Sequence, residues 1–240
     1  MKAIYLLLAL CIYCNSSISF SQEYAFGLKG GLNTNSIGDI NSRGGSIAAG
    51  KADELFSPKQ DIGYLIGGYF MIEFKRFFIR PELNYVDLQN HYDFPRRKSK
   101  WTTSKFEIPL LVGYEIVKPV SVYAGPNFNF FDEIQLEGVQ VTSYSDGGPD
   151  IDRNTVGLNI GVMVRYNRFN IDLRYEMGTK QTEEELLDIN NGAFGVNLAD
   201  LRAYTPSTLS LSLSIDIFRT DGKSISDLFK NDGNCGCPYK

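Results

Sequence analysis

The sequence predicts an all-β fold: an eight-stranded antiparallel up-and-down transmembrane β-barrel with short periplasmic turns and long extracellular loops. Three observations predict it: eight segments that alternate apolar and polar residues, short and long connections that alternate along the chain, and aromatic residues at both ends of the segments. The chain has 240 residues, of which 43% are hydrophobic and 22% charged, which suits one domain of this kind.

The alternating segments are each roughly 9–12 residues long, which is the length that a tilted membrane strand needs. Their apolar faces carry no charged residue. The opposite faces carry Lys29, Glu73, Arg80, Glu82, Glu107, Glu115, Arg165, Asp172, Arg174, Glu176 and Asp216. The segments begin near Tyr24, Tyr64, Phe77, Phe106, Val120, Val156, Phe169 and Leu209.

The distribution of charge favours a membrane over water outside the barrel. A soluble barrel also alternates, but it turns its polar face outward and keeps a dry apolar core. Here the polar face has too many charges for a dry core, because burying an unpaired ion costs several kcal/mol or more. We therefore expect the charges to pair inside a narrow lumen while the apolar face meets lipid.

The connections between the segments alternate in length, as in an up-and-down barrel. The short ones are Lys75-Arg76, residues 117–119 and Asn167-Arg168, and the long ones are residues 33–60, 89–104, 132–154 and 179–205. Three prolines fall inside predicted strands, where they would each remove a backbone donor, so we expect β-bulges or displaced strand limits at Pro81, Pro109 and Pro126.

Both ends of the chain are predicted to lie outside the barrel, which spans residues 22–218. Residues 1–21 have the pattern of a secretory signal peptide, with Lys2, a short apolar core and small residues before Gln22. Its removal would take two of the four cysteines. Residues 219–240 are predicted to be a periplasmic tail, in which a short apolar stretch could dock on a periplasmic or outer-membrane protein.

Several segments together resemble the PorT-like family of Bacteroidetes outer-membrane β-barrel proteins. The resemblance covers roughly residues 23–218 and implies a barrel in the bacterial outer membrane. The founding member is similar to components needed for protein secretion, but 22 residues follow Phe218 in this chain, which departs from the family pattern. The segments that carry the resemblance are 26–33, 80–85, 106–111, 123–126, 171–175 and 177–178.

The charges on the polar faces are the first candidate site. They could line a pore or hold a ligand, but eight strands leave an interior just wide enough for side chains, which favours a salt-bridged plug. The predicted lumen charge network consists of Arg80, Glu82, Glu107, Arg165, Asp172, Arg174 and Glu176.

Basic residues in the predicted loop from Tyr92 to Lys105 are a second candidate, because Arg and Lys pair well with lipid phosphates. The alternative is a solvated loop that keeps the rim polar. The residues concerned are Arg96, Arg97, Lys98 and Lys100.

Two smaller groups of residues could bind or react, but neither predicts a cofactor or a metal. Asp146, Asp150 and Asp152 offer oxygen ligands at a spacing that fits no established calcium loop. Cys235 and Cys237 could form a disulfide in an oxidising compartment, bridge to another chain or supply two of the four ligands of a zinc ion.

The sequence therefore predicts an outer-membrane barrel that acts as a structural, interaction or secretion-associated component, with outer-membrane lipids around it. The rival interpretation is a narrow channel or ligand-carrying transport barrel. A lipid-modifying enzyme that uses His91, the single histidine, is the third, but nothing near His91 marks a nucleophile. A net charge of −4 gives no reason to expect nucleic acid as a partner.

Overall fold

The computed structural model describes residues 22–43, 54–143, 145, 147–192 and 195–220. In this part of the chain every regular element is a β-strand. No helix there is long and apolar enough to cross a membrane. The strands are β1 (Gln22–Ser36), β2 (Ile40–Ser42), β3 (Glu54–Phe56), β4 (Lys59–Gln60), β5 (Gly63–Phe74), β6 (Phe77–Asp93), β7 (Lys98–Val117), β8 (Val120–Phe131), β9 (Gln135–Leu136), β10 (Asn154–Tyr166), β11 (Phe169–Gly178), β12 (Glu185–Gly192), β13 (Gly195–Leu201) and β14 (Ser207–Arg219).

Eight long strands form a closed antiparallel ring, which confirms the predicted fold class. Each strand pairs with the next one along the chain, and β14 returns to pair with β1. The order around the ring is β1, β5, β6, β7, β8, β10, β11 and β14. Closure leaves no free sheet edge in the ring, so the backbone groups of the wall are satisfied within it.

The three short connections are two-residue turns at one end of the ring. They are closed by the pairs Phe74–Phe77, Val117–Val120 and Tyr166–Phe169. Lys75 and Asn167 adopt positive φ angles of 58° and 54°, as the first residue of such a tight hairpin turn requires. The ring therefore has a short-turn end, where Gln22 and Arg219 also lie, and a long-loop end.

The outward face of the ring is apolar over its middle height, with exposed side chains such as Leu28, Leu158 and Leu211. Aromatic residues flank this band in contacting pairs. The ring centroids of Phe77 and Tyr114 lie 4.9 Å apart, and those of Tyr85 and Phe106 lie 5.4 Å apart. Phe77 and Tyr85 are eight residues apart on β6, or about 26 Å of strand, which matches the thickness of an apolar band once the strand is tilted.

The prolines lie inside β6, β7 and β8 and interrupt the ladders without shifting them, so the expectation of β-bulges or displaced strand limits at Pro81, Pro109 and Pro126 is wrong. The pairs on both sides of each proline keep the same register. The observed register shifts lie elsewhere, between Phe26 and Gly27 and between Glu115 and Val117. A proline therefore costs one ladder hydrogen bond locally, and the adjacent pairs hold the strand in place.

The described parts of the long connections contain further β-strands, which differs from the loops that the sequence predicts. β6 and β7 continue as a ribbon to the pair Asp93–Lys98, so most of residues 89–104 is strand. Strands β12, β13, β2 and β3 form a separate four-stranded sheet, which we call the cap.

A hydrophobic cluster joins the cap to the top of the ring. It includes Ile40, Leu187 and Leu201 from the cap and Tyr92 and Trp101 from the β6–β7 ribbon, all almost completely buried. This cluster lies above the polar lumen, so the described part of the long-loop end is closed by packed side chains.

Candidate functional site: the filled lumen

The lumen contains the side chains that alternate inward from all eight strands. Since side chains on a strand point to opposite faces in turn, an apolar outward row leaves a polar inward row on the same strand. On β14, for example, Leu211 is 55% exposed and Ser212 only 4%. The charged residues are held inside the ring by this simple period.

The centre of the lumen is an ion-pair network around Glu82. Arg174 donates two hydrogen bonds to its carboxylate, from Nη1 and Nη2, each 2.9 Å long. Lys29 Nζ lies 3.0 Å from Glu82 Oε2, and Arg80 Nε lies 2.9 Å from Oε1. Asp172 completes the group, 3.0 Å from Arg174 and 3.5 Å from Lys29. Every charge here faces an opposite one at close range.

A second group lies nearer the long-loop end and is centred on Lys105. Its ammonium contacts Glu176 at 2.5 Å and Glu107 at 3.2 Å. The amides of Asn84 and Asn127 donate to Glu107 over 2.9 and 3.1 Å. The amides satisfy carboxylate oxygens that the single ammonium does not reach.

An apolar layer separates this network from the short-turn end. It contains Met71, Met163, Phe78 and Leu111, all with 2% exposure or less. At the mouth below it, Arg165 contacts Glu73 at 2.6 Å, and Arg219 contacts the same carboxylate at 3.4 Å. The lumen is therefore stratified into ion pairs at the mouth, an apolar layer and a central charge network.

The arrangement can exclude water and ions from the barrel. Removing one partner from a buried ion pair costs about 3–5 kcal/mol, because the other charge stays uncompensated, so the paired groups hold each other in place. The cavity beside Glu107, Arg174 and Glu176 has a volume of about 10 Å³, which is at the lower limit of what a single water molecule needs.

The structure brings together six of the seven residues of the predicted lumen network. Arg165 lies instead in the mouth group, across the apolar layer. Lys29 was not in the predicted network, and Lys105 was predicted to end the basic loop from Tyr92, whereas both are 4% exposed or less. The spacing from Lys105 to Glu107 was the available signal, because two residues apart on a strand means the same face. The predicted network residues that lie together are Arg80, Glu82, Glu107, Asp172, Arg174 and Glu176.

The basic residues of the predicted loop lie on and beside the β6–β7 ribbon, exposed at the long-loop end. Lys98 contacts Asp93 at 3.5 Å, and Arg97 contacts Glu137 at 3.6 Å. A hydrogen bond from Lys59 and the charge of Lys98 lower the pKa of Asp93 below its usual value. Arg96 and Lys100 are also exposed. The four residues form a basic surface rather than a closed site.

His91 lies on the same ribbon between two carboxylates. Its Nδ1 lies 2.9 Å from Asp61, and its Nε2 lies 3.7 Å from Asp93. Among the described residues, no hydroxyl or thiol bonds to Nε2. The geometry of a nucleophile, base and orienting acid is therefore not assembled at His91 in this part of the chain.

The remaining candidates are only partly covered by the structure. Asp150 and Asp152 lie at the long-loop end, Asp146 lies outside the described residues, and no metal-binding group of three or more acids, histidines or cysteines occurs within them. The signal peptide, the residues after Thr220 and the pair Cys235 and Cys237 also lie outside the described residues. The last strand ends at Arg219, one residue past the predicted limit of the barrel.

Comparison with solved structures finds several outer-membrane proteins that resemble this chain at low sequence identity. The crystal structure of OprG from Pseudomonas aeruginosa is similar, with a TM-score of 0.46, 13% identity, and coverage of 82% of this chain and 96% of that one. Ail of Yersinia pestis, crystallised with the heparin analogue sucrose octasulfate, is similar with a TM-score of 0.41 and 11% identity. That match covers 82% of this chain and 98% of Ail. Neisserial surface protein A is similar with a TM-score of 0.39 and 13% identity, and the match covers 80% of this chain and 96% of that one. No curated protein matches the chain.

A family model for the outer membrane protein beta-barrel domain matches residues 20–182, which is more than half of the chain. The match covers most of the ring, from β1 through β11. The closed eight-stranded ring, its apolar outward band and its charged interior are the features that such a protein needs in the bacterial outer membrane. The chain therefore belongs to the outer membrane protein beta-barrel domain family.

Proposed function

We propose that this protein is a non-conducting outer-membrane barrel that acts as a structural or interaction component through its two ends. The observation that carries this proposal is the filled lumen, in which ion pairs, amides and an apolar layer occupy the cross-section of the ring. A barrel without a passage can act only through the surfaces that it presents on each side of the membrane and to the lipid.

The long-loop end is the larger of these surfaces. In outer-membrane barrels the long connections lie outside the cell and the short turns in the periplasm. The buried cluster that the cap shares with the β6–β7 ribbon holds the cap on the ring, so the cap offers a preformed surface to an extracellular partner. The resemblance to PorT-like proteins supports a secretion-associated role, in which the barrel would stand beside a transport machine rather than conduct substrate itself.

The basic surface of the ribbon supports contact with the phosphates of outer-membrane lipids. Lys98 and Lys100 lie on the outward face of β7, above Phe106 of the aromatic band. Arg96 and Arg97 lie at the tip of the ribbon. Lys100 stands six residues beyond Phe106 on the same face of β7, or about 20 Å of strand, so these cations would lie outside the apolar band and meet phosphates on the sugar portion of the outer lipids.

We propose no enzymatic activity. His91 is oriented by Asp61, but the described residues place no nucleophile at its free nitrogen. A lipid-modifying role would require a hydrolytic or acyl-transfer activity that disappears on His91→Ala and remains on Lys100→Ala.

Planar-bilayer conductance tests the plugged lumen. The wild-type protein should give no conductance steps, because ions cannot replace their hydration shells along the paired and apolar interior. Recovery of folded, heat-modifiable protein from the same bilayer lipid shows that the wild type has inserted, so the absence of steps reports a closed lumen. Regular steps from the wild type would establish the narrow channel instead.

The periplasmic tail is the second proposed contact. A deletion of residues 221–240 should leave assembly and heat-modifiable gel migration unchanged, because β14 and its bonds to β1 remain complete. The same deletion should remove proteins that co-purify through the tail. In the full-length protein isolated from outer membranes, Cys235 and Cys237 should be found as a disulfide, because the periplasm is oxidising. Failure of the shortened chain to assemble would show that the tail belongs to the fold.

A further inference from the structure

An open cleft of about 560 Å³ lies at the long-loop end beside the cap. Five acidic side chains line it, Asp150, Asp152, Glu183, Glu184 and Glu185, with two basic ones, Arg153 and Lys180. The lining therefore has a formal charge of −3, the difference between two cations and five carboxylates. Concave surfaces of one sign concentrate ions of the other sign, so the cleft attracts cations.

A smaller cavity of about 30 Å³ continues inward from the cleft. Ile151, Thr155, Lys180 and Pro206 line both spaces, so the two are adjacent. Its walls expose mostly apolar surface, with the single tryptophan of the chain, Trp101, among the lining residues, while Lys105, Asn129 and Glu176 make one side of it polar. A cavity of this volume has room for a water molecule or two, or for a short alkyl segment.

One buried polar atom in this cavity has no partner among the residues that the structure describes. Asn35 is 4% exposed and lines the cavity, and its Oδ1 accepts no hydrogen bond from them. A buried acceptor without a donor costs about 1–3 kcal/mol, so a ligand that donates to it would regain that energy. The cavity therefore selects an N–H or O–H group at its inner end.

We propose that the cleft and the cavity together form a binding site for short aliphatic diamines and amino alcohols. An ammonium group lies among the acidic side chains of the cleft, and the methylene chain runs from the cleft past Ile151 and Pro206. Only the inner end of the chain enters the cavity beside Trp101, where its N–H or O–H donates to Asn35 Oδ1. The three parts of the ligand match an acidic cleft, an apolar wall and an unpaired acceptor, in that order from outside to inside.

Binding at this site does not require transport through the barrel. The cavity ends on the ion pair of Lys105 and Glu176, which line its floor and contact each other at 2.5 Å. The site is therefore independent of whether the lumen conducts, and its failure would leave the proposal of a plugged barrel untouched.

Equilibrium dialysis of the full-length mature protein in detergent micelles measures binding directly. Putrescine and aminobutanol should bind and change the fluorescence of Trp101. Butylamine, which lacks the inner donor, should bind about three- to tenfold more weakly, the range expected for one hydrogen bond. Butanediol, which lacks the charge, should show no binding at the same concentration. No binding of either amine with a donor would overturn the proposal.

Two variants separate the parts of the site. Asn35→Leu should lower the affinity for aminobutanol to that for butylamine, because the acceptor is gone. Glu183→Gln/Glu184→Gln should weaken putrescine binding at low salt by about tenfold, whereas Glu54→Gln, an exposed acid outside the cleft, should change nothing.

Magnesium chloride distinguishes the site from an acidic surface. Two results together would show that the amine binds only to the acids and that the proposal is wrong. Magnesium would displace putrescine completely when the two divalent cations are at equal concentration, and putrescine would leave Trp101 fluorescence unchanged. If Asn35→Leu retains the preference for aminobutanol over butylamine, the inner contact is also wrong.

Discussion

Arg174 illustrates how a charged residue is accommodated inside this barrel. Its guanidinium forms a bidentate pair with Glu82 and also contacts Asp172, while Nε donates to the Tyr123 hydroxyl over 3.1 Å. Arg is suited to this position because its planar fork matches a carboxylate and cannot lose its proton. The same residue therefore neutralises two acids that come from β6 and from its own strand.

Replacement of Arg174 by methionine should destabilise the barrel by about 3 kcal/mol or more, because two buried carboxylates lose their main cation. The measurement is urea unfolding of the protein in lipid vesicles. Arg153→Met, which breaks the exposed pair with Glu133, should have little effect. The double variant Glu82→Gln/Arg174→Met should recover part of the loss; additive effects of the two changes would argue against the pair.

At the residue scale, the sequence was informative wherever one face of a strand meets lipid. Glu82, Asp172 and Arg174 could be assigned to the lumen because their neighbours in sequence are apolar. Lys105 was assigned wrongly because the residues before it, on both faces of β7, are polar or aromatic. Beyond the membrane both faces meet water or packed side chains, so the contrast that marks a strand disappears.

The apolar band is the element that places the strands in the membrane. Leu211→Arg, at the middle of β14, should destabilise the barrel by about 2–4 kcal/mol, because a lipid-facing charge at this depth cannot be hydrated. Vesicle unfolding again provides the measurement. Leu55→Arg is a matched control, since Leu55 is similarly exposed but lies on β3 in the cap. Equal effects of the two substitutions would contradict a lipid-facing wall.

The cap should be sensitive to alkaline pH. Burial raises the pKa of Tyr92 and of Tyr204, both above the membrane, beyond the ordinary value of 10.0. A raised folded-state pKa means that the stabilisation is complete below the unfolded pKa and is lost as the pH rises above it. The cap should therefore open above about pH 10, before the barrel unfolds.

Trp101 lies in the buried cluster below the cap, so its fluorescence follows this opening while circular dichroism follows the barrel. The variant Tyr92→Phe/Tyr204→Phe cannot ionise at these positions, and its transition should move to higher pH. If the transition stays where it is in this variant, ionisation of the two tyrosines does not open the cap.

At the scale of the whole molecule, the sequence predicted the ring but not the cap. The ring is a meander in which each strand pairs with its neighbour in sequence, so local alternation and turn spacing are sufficient. The cap pairs Ile40–Leu201 and Ile40–Phe56, which brings together pieces of chain that are far apart and only three residues long in two cases. Such short strands have no recognisable period, and their pairing depends on the ring that brings the connections together.

The orientation of the whole protein follows from the same asymmetry and can be tested on intact cells. Single cysteines replace Lys100 and Glu184 at the long-loop end and Arg76 and Lys118 at the short turns, all exposed positions, in a chain whose Cys235 and Cys237 are serines. A membrane-impermeant maleimide should label the first two on intact cells and all four after the outer membrane is permeabilised. Labelling at Arg76 or Lys118 on intact cells would reverse the orientation. It would also place the cap and its acidic cleft in the periplasm, where an extracellular partner could not reach them.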